Sequence, residues 1–244
     1  MKAHFAFLLG LVLLGTSCSH KTASPAALKP TGVGAAIVES SGGKQLAQTG
    51  SLLPQPVVVQ VNDSQGAAVA GALVEFAAAP GVTFDPASAL SDSSGQVTTS
   101  VSLGGMAGRY QITAFTFDKS HKKAELKVEE IALGYQQTLG RRLNDQYCDR
   151  CHNSESSAER VSNYDNLEVK PHPFSEGDTL NKLSDADLTA IITNGGPALQ
   201  KSALMPAWGN TLSKSDIQAL IAYVRAVSDP PSRDSGPIYP ETRR

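Results

Sequence analysis

The sequence predicts a multidomain chain, an all-β antiparallel sandwich in its N-terminal half followed by an all-α unit. Three observations predict it. From Val33 to residue 131 apolar residues recur with a period of two, and clusters of turn residues interrupt them about every ten positions. Beyond residue 132 the apolar period becomes helical. The 244 residues leave room for two modest domains, since single cores run to about 100–200 residues.

Composition narrows the classes further. Hydrophobic residues at 41% and charged residues at 18% describe a globular chain. The formal charge of -2 shows no basic excess, so nucleic acid is not expected as a partner.

The first element is an export signal, residues 1–18. Lys2 precedes an apolar run from Phe5 to Leu14, too short for a bilayer, which needs about 20 residues. Gly15, Thr16 and Ser17 lead into Cys18, an arrangement that resembles a bacterial lipobox. The resemblance implies lipidation at Cys18 and a membrane anchor. Gly15 stands where that motif usually has Leu, so plain cleavage without lipid stays open as the alternative. Ser19 follows, not the aspartate that resembles an inner-membrane retention signal, which points to the outer membrane. Residues 19–32 are small, polar and Pro-bearing, the composition of a flexible tether.

Residues 33–131 carry the strands. "PVVVQV" (56–61) precedes the turn "NDSQG" (62–66), and "ALVEF" (72–76) precedes the turn "SDSSGQ" (91–96). "VTTSVSL" (97–103) places Val97, Thr99, Val101 and Leu103 on one face, and "RYQITAFTF" (109–117) and "KAELKV" (123–128) keep the period. The spacing V-x-D-x-x-G-x-x-V-x-G-x-x-V-x-F, then D-x-x-G-x-V and G-x-Y-x-I-x-A, resembles bacterial immunoglobulin-like domains of the invasin/intimin type. That family acts mostly as spacers or adhesive modules. The strands show no cluster of titratable residues suited to chemistry.

Residues 132–228 are expected to be helical. "LGYQQTLGRRLNDQYC" puts Leu139, Leu143 and Tyr147 on one stripe. "NKLSDADLTAII" (181–192) and "NTLSKSDIQALI" (210–221) repeat one another, and Ser184/Asp187 and Ser213/Asp216 have the spacing of capping boxes. Ile217, Leu220, Ile221 and Val224 form the apolar face of the second. Gly195-Gly196 ends one helix, and "DPP" (229–231) follows the other. Residues 229–244 are Pro-rich and expected to be disordered.

The helical half holds "CDRCH", Cys148 to His152. With Cys18 lipidated, this pair is all the cysteine that remains. A disulfide across two residues closes too small a loop to contribute much stability. A structural zinc site needs four ligands, and the remaining histidines, His4, His20, His121 and His172, are singletons. A thioredoxin-type dithiol belongs at a helix start after a strand, whereas this pair closes a helix. The third chemistry is covalent haem: two thiols add to two vinyl groups, and the adjacent His152 becomes an axial ligand. Chance occurrence of the pattern at this composition is on the order of 10⁻³, so it is not composition noise.

The stretch from Tyr135 to Ser228 resembles a class I monohaem cytochrome c, close to the cbb3-subunit and c5/c6 types. The resemblance is carried by "G-x-x-L-x-x-x-Y-C-x-x-C-H" (140–152), "I-x-x-G" (192–195), "MPAWG" (205–209) and "LSKSDIQALIAYV" (212–224). It implies a cytochrome c fold, one heme c on Cys148 and Cys151, and His152 and Met205 as iron ligands, with His172 in "KPHPF" the runner-up for the sixth position. It further implies that the first and last helices cross at Gly140, with Tyr147 and Tyr223 filling the contact, and that Trp208 packs near the haem edge or anchors the core. Residues 153–174 replace the family's short loop after the haem motif, so the carbonyl that orients the ligand histidine has no assigned residue.

The function expected is electron transfer without bond chemistry, hence no enzyme activity, between exported redox partner proteins. The sandwich would be a spacer or docking module. The alternative is a surface or complex-associated binding subunit, with the sandwich as the functional module and the haem domain as relay. Between residues 135 and 228 nine Lys/Arg and eleven Asp/Glu are interspersed, so charge names no docking partner.

Overall fold

A computed structural model of the chain describes residues 28–153, 162–232 and 236–240. The export signal, Cys18 and most of the tether lie outside the described residues. Two sheets face one another. One has strand order β1-β3-β7-β5, from β1 (Ala36–Ser41), β3 (Val57–Asn62), β5 (Thr83–Asp85) and β7 (Gln96–Ser102). The other runs β2-β9-β8-β4-β6, from β2 (Leu46–Gln48), β4 (Leu73–Ala77), β6 (Ser88–Leu90), β8 (Gly108–Phe117) and β9 (Lys123–Leu133). Their inner faces meet in a core of Val57, Val59, Val61, Val74, Val101, Ile112 and neighbours. The period of two in "VVVQV" is the cause: Val57, Val59 and Val61 are fully buried, while Val58 and Gln60 are not.

Three turns of one design join strands. Asp63, Asp92 and Asp118 each accept two backbone N–H bonds through Oδ1, from Gln65 and Ala67, Ser94 and Gln96, and Ser120 and Lys122. The fourth residue of each turn is left-handed: Gly66 (φ 85°), Gly95 (φ 77°) and His121 (φ 61°).

Helix α1 (Tyr135–Leu143) follows β9, then a π-helical turn (Asn144–Cys148) and the short α2 (Asp149–His152). After residue 162 come a 3₁₀ turn (Tyr164–Asn166), α3 (Gly177–Leu180), α4 (Asp185–Asn194), a 3₁₀ turn (Gly196–Leu199) and α5 (Lys214–Val227). Helices α4 and α5 both start in capping boxes: the hydroxyls of Ser184 and Ser213 accept from the Asp187 and Asp216 N–H groups, and each carboxylate accepts in return. Helices α1 and α5 pack at Gly140, where a Cβ would stand 2.0 Å from the Ala219 carbonyl oxygen. Among the described residues no helix is long and apolar enough to cross a membrane.

The two units are fastened together. Arg109 of β8, 2% exposed, ion-pairs with Glu129 and donates from Nη2 to the carbonyls of Ala226 (3.1 Å) and Ser228 (2.6 Å) at the end of α5. Those carbonyls have no partner within the helix, and a cation suits that end of its dipole. Ile131, Leu133, Tyr223 and Ala226 form a joint apolar cluster.

The disordered tail expected from residue 229 is corrected where it is described. Asp229 bridges to Glu176, and β10 (Ile238–Tyr239) pairs in parallel with β8 at Arg109 and Tyr110. The Tyr239 ring lies 4.8 Å from that of Tyr110. Proline content argued for disorder, but one aromatic ring finds apolar surface and the strand finds free backbone groups on β8.

Candidate functional site

The π turn widens the helix just before the cysteines. Tyr147 and Cys148, though consecutive, both pack against the cluster of Leu188, Leu212, Ile217, Leu220 and Ile221. Cys151 and His152 follow on α2, and neither cysteine is in a disulfide. Burial, with Cys151 nearby, pushes the Cys148 thiol up to about 12.

His152 is oriented. Its Nδ1 lies 2.9 Å from the carbonyl oxygen of His172; donation there fixes the tautomer and leaves the Nε2 lone pair free. Burial lowers the His152 pKa, opposed by that hydrogen bond, and so favours the neutral form that a ligand needs. The acceptor-bearing segment is itself secured. His172 Nδ1 and Glu176 Oε2 are 2.7 Å apart, and Ser175 and Gly177 exchange backbone hydrogen bonds with Asp229.

Met205 lies in the loop between α4 and α5, half-buried. Gly195, at φ +81°, brings the chain back so that the Gly196 N–H donates to the Met205 carbonyl at 3.0 Å. A Cβ on Gly196 would stand 1.9 Å from the Ser202 carbonyl oxygen, so the glycine pair lets the loop fold tightly. Trp208 closes it: its backbone N–H donates to the Ile192 carbonyl at 2.9 Å, and its ring lies 5.3 Å from that of Tyr147. The methionine loop is thereby tied to the turn that carries Cys148.

Tyr223 stands beside Gly140 at the crossing of α1 and α5 and also joins the cluster shared with the sandwich, whereas Tyr147 packs against the cysteine-side cluster. The His172 carbonyl oxygen lies at His152 Nδ1, and the His172 ring is engaged by Glu176. The His172 carbonyl supplies the orienting acceptor that sequence reasoning left unassigned. A backbone acceptor 20 residues away carries no residue signature.

Residues 136–224 match the family model "Cytochrome C oxidase, cbb3-type, subunit III". This segment is a cytochrome c domain. No curated protein matches the chain. Among solved structures, the D00-D0 domain of intimin is 20% identical, with 41% of this chain and 47% of that chain covered and a TM-score of 0.30. Invasin, a bacterial integrin-binding protein, is 14% identical over 40% of this chain and 19% of its own, at 0.31. The Yersinia pseudotuberculosis adhesin InvE is 16% identical over 38% and 30%, at 0.29. The chain thus spans less than half the length of each of these neighbours.

The cytochrome c domain of this chain has what a covalently held haem requires. There are two unbridged thiols on adjacent turns, an imidazole with one nitrogen committed and one free, and an apolar bed formed by Leu188, Ile192, Ile217 and Trp208.

Proposed function

We propose that the chain is an exported, membrane-tethered c-type cytochrome that carries single electrons through one covalent haem. Cys148 and Cys151 would hold it by thioethers. Each S–H adds across one vinyl C=C, the sulfur bonding one carbon and the proton the other, so nothing leaves and no oxidant is needed. His152 Nε2 and Met205 Sδ would be the axial donors. The observation that carries the reading is the His152 hydrogen bond to the His172 carbonyl, which presents a neutral ring with Nε2 free, directly after the thiol pair. When bound, the haem supplies one reversible electron step.

With His152 and Met205 filling both axial positions, no coordination site is left open for a substrate, so the protein would be a carrier and not an enzyme. A thioether is a soft donor that favours the ferrous state and raises the potential relative to two histidines. The cluster around Cys148, closed by Tyr147 and Trp208, would exclude water. Cys18 would anchor the chain to the outer membrane, and exported redox proteins would be its partners. The alternative is a binding module in the sandwich, whose exposed large apolar residues are Val33, Val38, Leu52, Met106 and Phe117.

The sixth ligand decides between a carrier and a reactive haem. If Met205 ligates iron, the oxidised protein shows the weak near-infrared sulfur-to-iron charge-transfer band, Met205→Ala abolishes it, and His172→Ala leaves it intact. A band that survives Met205→Ala but is altered by His172→Ala would mean bis-histidine ligation and overturn the high-potential reading.

A further inference from the structure

The ring of His152 is backed by a residue shared with the sandwich. Phe174 lies 4.7 Å from it, centroid to centroid, at 34°. The same Phe174 side chain packs into the cluster of Ile131 and Leu133, where Leu46 and Tyr223 also contribute. Along β9 the neighbouring Ala132 faces the sandwich core, so Ile131 and Leu133 form the opposite face, the one turned to the helices. They are 8% and 1% exposed. Beside this contact runs a cleft of about 740 Å³ between the two units, whose walls include His152, Phe174, Ile131, Lys44 and Arg109. Phe174 therefore stands between the imidazole and the strands, at the margin of a polar cleft.

We infer that the β9 face of the sandwich is the outer wall of the His152 site. Ile131 and Leu133 hold Phe174 against the ring, and Phe174 acts as a positioning residue. It fixes the orientation of the imidazole and covers one face of the ring with an apolar side chain. The inference rests on the haem reading above. Oxidation adds a positive charge at the iron, and an apolar side chain that takes the place of water against one face of its ligand disfavours that charge, so the wall raises the reduction potential. A domain whose sequence reads as a spacer would then help set the electron affinity of its neighbour.

The test uses the matured, full-length, haem-loaded protein and reads its midpoint potential. Phe174→Ala should lower it. Ile131→Ala, a truncation on the sandwich side of the contact, should lower it in the same direction by less. Phe174→Leu, which keeps an apolar side chain against the ring, should recover most of the wild-type value. Val61→Ala, a cavity in the sandwich core away from the wall, should weaken the fold and leave the potential unchanged. If Phe174→Ala does not mature, Phe174→Leu and Ile131→Ala against Val61→Ala still carry the comparison. Haem-loaded Ile131→Ala and Phe174 variants with the wild-type potential, or an equal shift in Val61→Ala, would overturn the wall and leave the haem reading standing. A wild type without haem would overturn both.

Discussion

Glu130 shows how much one side chain can decide. It is fully buried within β9; its Oε2 accepts from the Gln45 N–H at 2.7 Å, and its Oε1 finds no partner among the described residues. Burial, with the charges of Glu39 and Glu129 adding, raises its pKa from 4.5 to about 8 against the Gln45 hydrogen bond. The folded chain therefore keeps a proton that the unfolded chain releases across that window. Stability from this group is fully present below pH 4.5 and is lost as pH rises towards 8. Melting of the wild type should drop from pH 5 to pH 8. Glu130→Gln should flatten that slope and be more stable at pH 8, by a few kcal/mol in order of magnitude; an unchanged slope would contradict the assignment. In the sequence this glutamate is indistinguishable from a solvated strand residue, because nothing local reports which face will be covered. The haem motif is legible for the opposite reason: Cys148, Cys151 and His152 act within one stretch of five residues. The His172 carbonyl and the Phe174 ring reach the same site only through tertiary folding.

Elements whose cause is local were legible in the same way. The capping boxes at Ser184 and Ser213 are complete within four residues each, and Ser184→Ala and Ser213→Ala should each lower the melting temperature while leaving the haem spectrum unchanged. Gly140 is local in sequence but long-range in effect. Gly140→Ala places a Cβ against the Ala219 backbone and must push α1 from α5, with an overpacking cost of about 1–3 kcal/mol. Urea unfolding of the purified variant would read that cost, and wild-type stability would contradict the crossing. β10 escaped the sequence reading, since two residues in a Pro-rich tail give no periodicity. Tyr239→Ala should cost about 1 kcal/mol through the lost ring pair with Tyr110. Truncation after residue 235 should cost more, because it also uncovers the start of β8.

For the whole molecule, two domains of different class share an interface made by Arg109, Ile131, Leu133 and the end of α5. Sequence periodicity separates the domains but does not show that they touch, since Arg109 reads as an ordinary polar strand residue. Labelled fatty acid should follow the wild-type protein into membranes, and Cys18→Ala should release it or block processing. A soluble wild type with a free N-terminus would leave only export. The electron-carrier reading depends on covalent haem at Cys148 and Cys151, and one measurement addresses it directly. Matured protein is extracted with acidic organic solvent, and the residue is examined as its reduced pyridine derivative. The account predicts that the haem stays with the polypeptide, one per chain, with the spectrum of a thioether-linked porphyrin, and that Cys148→Ser or Cys151→Ser weakens or abolishes its retention. Intact haem recovered in the solvent phase from the wild type would contradict it.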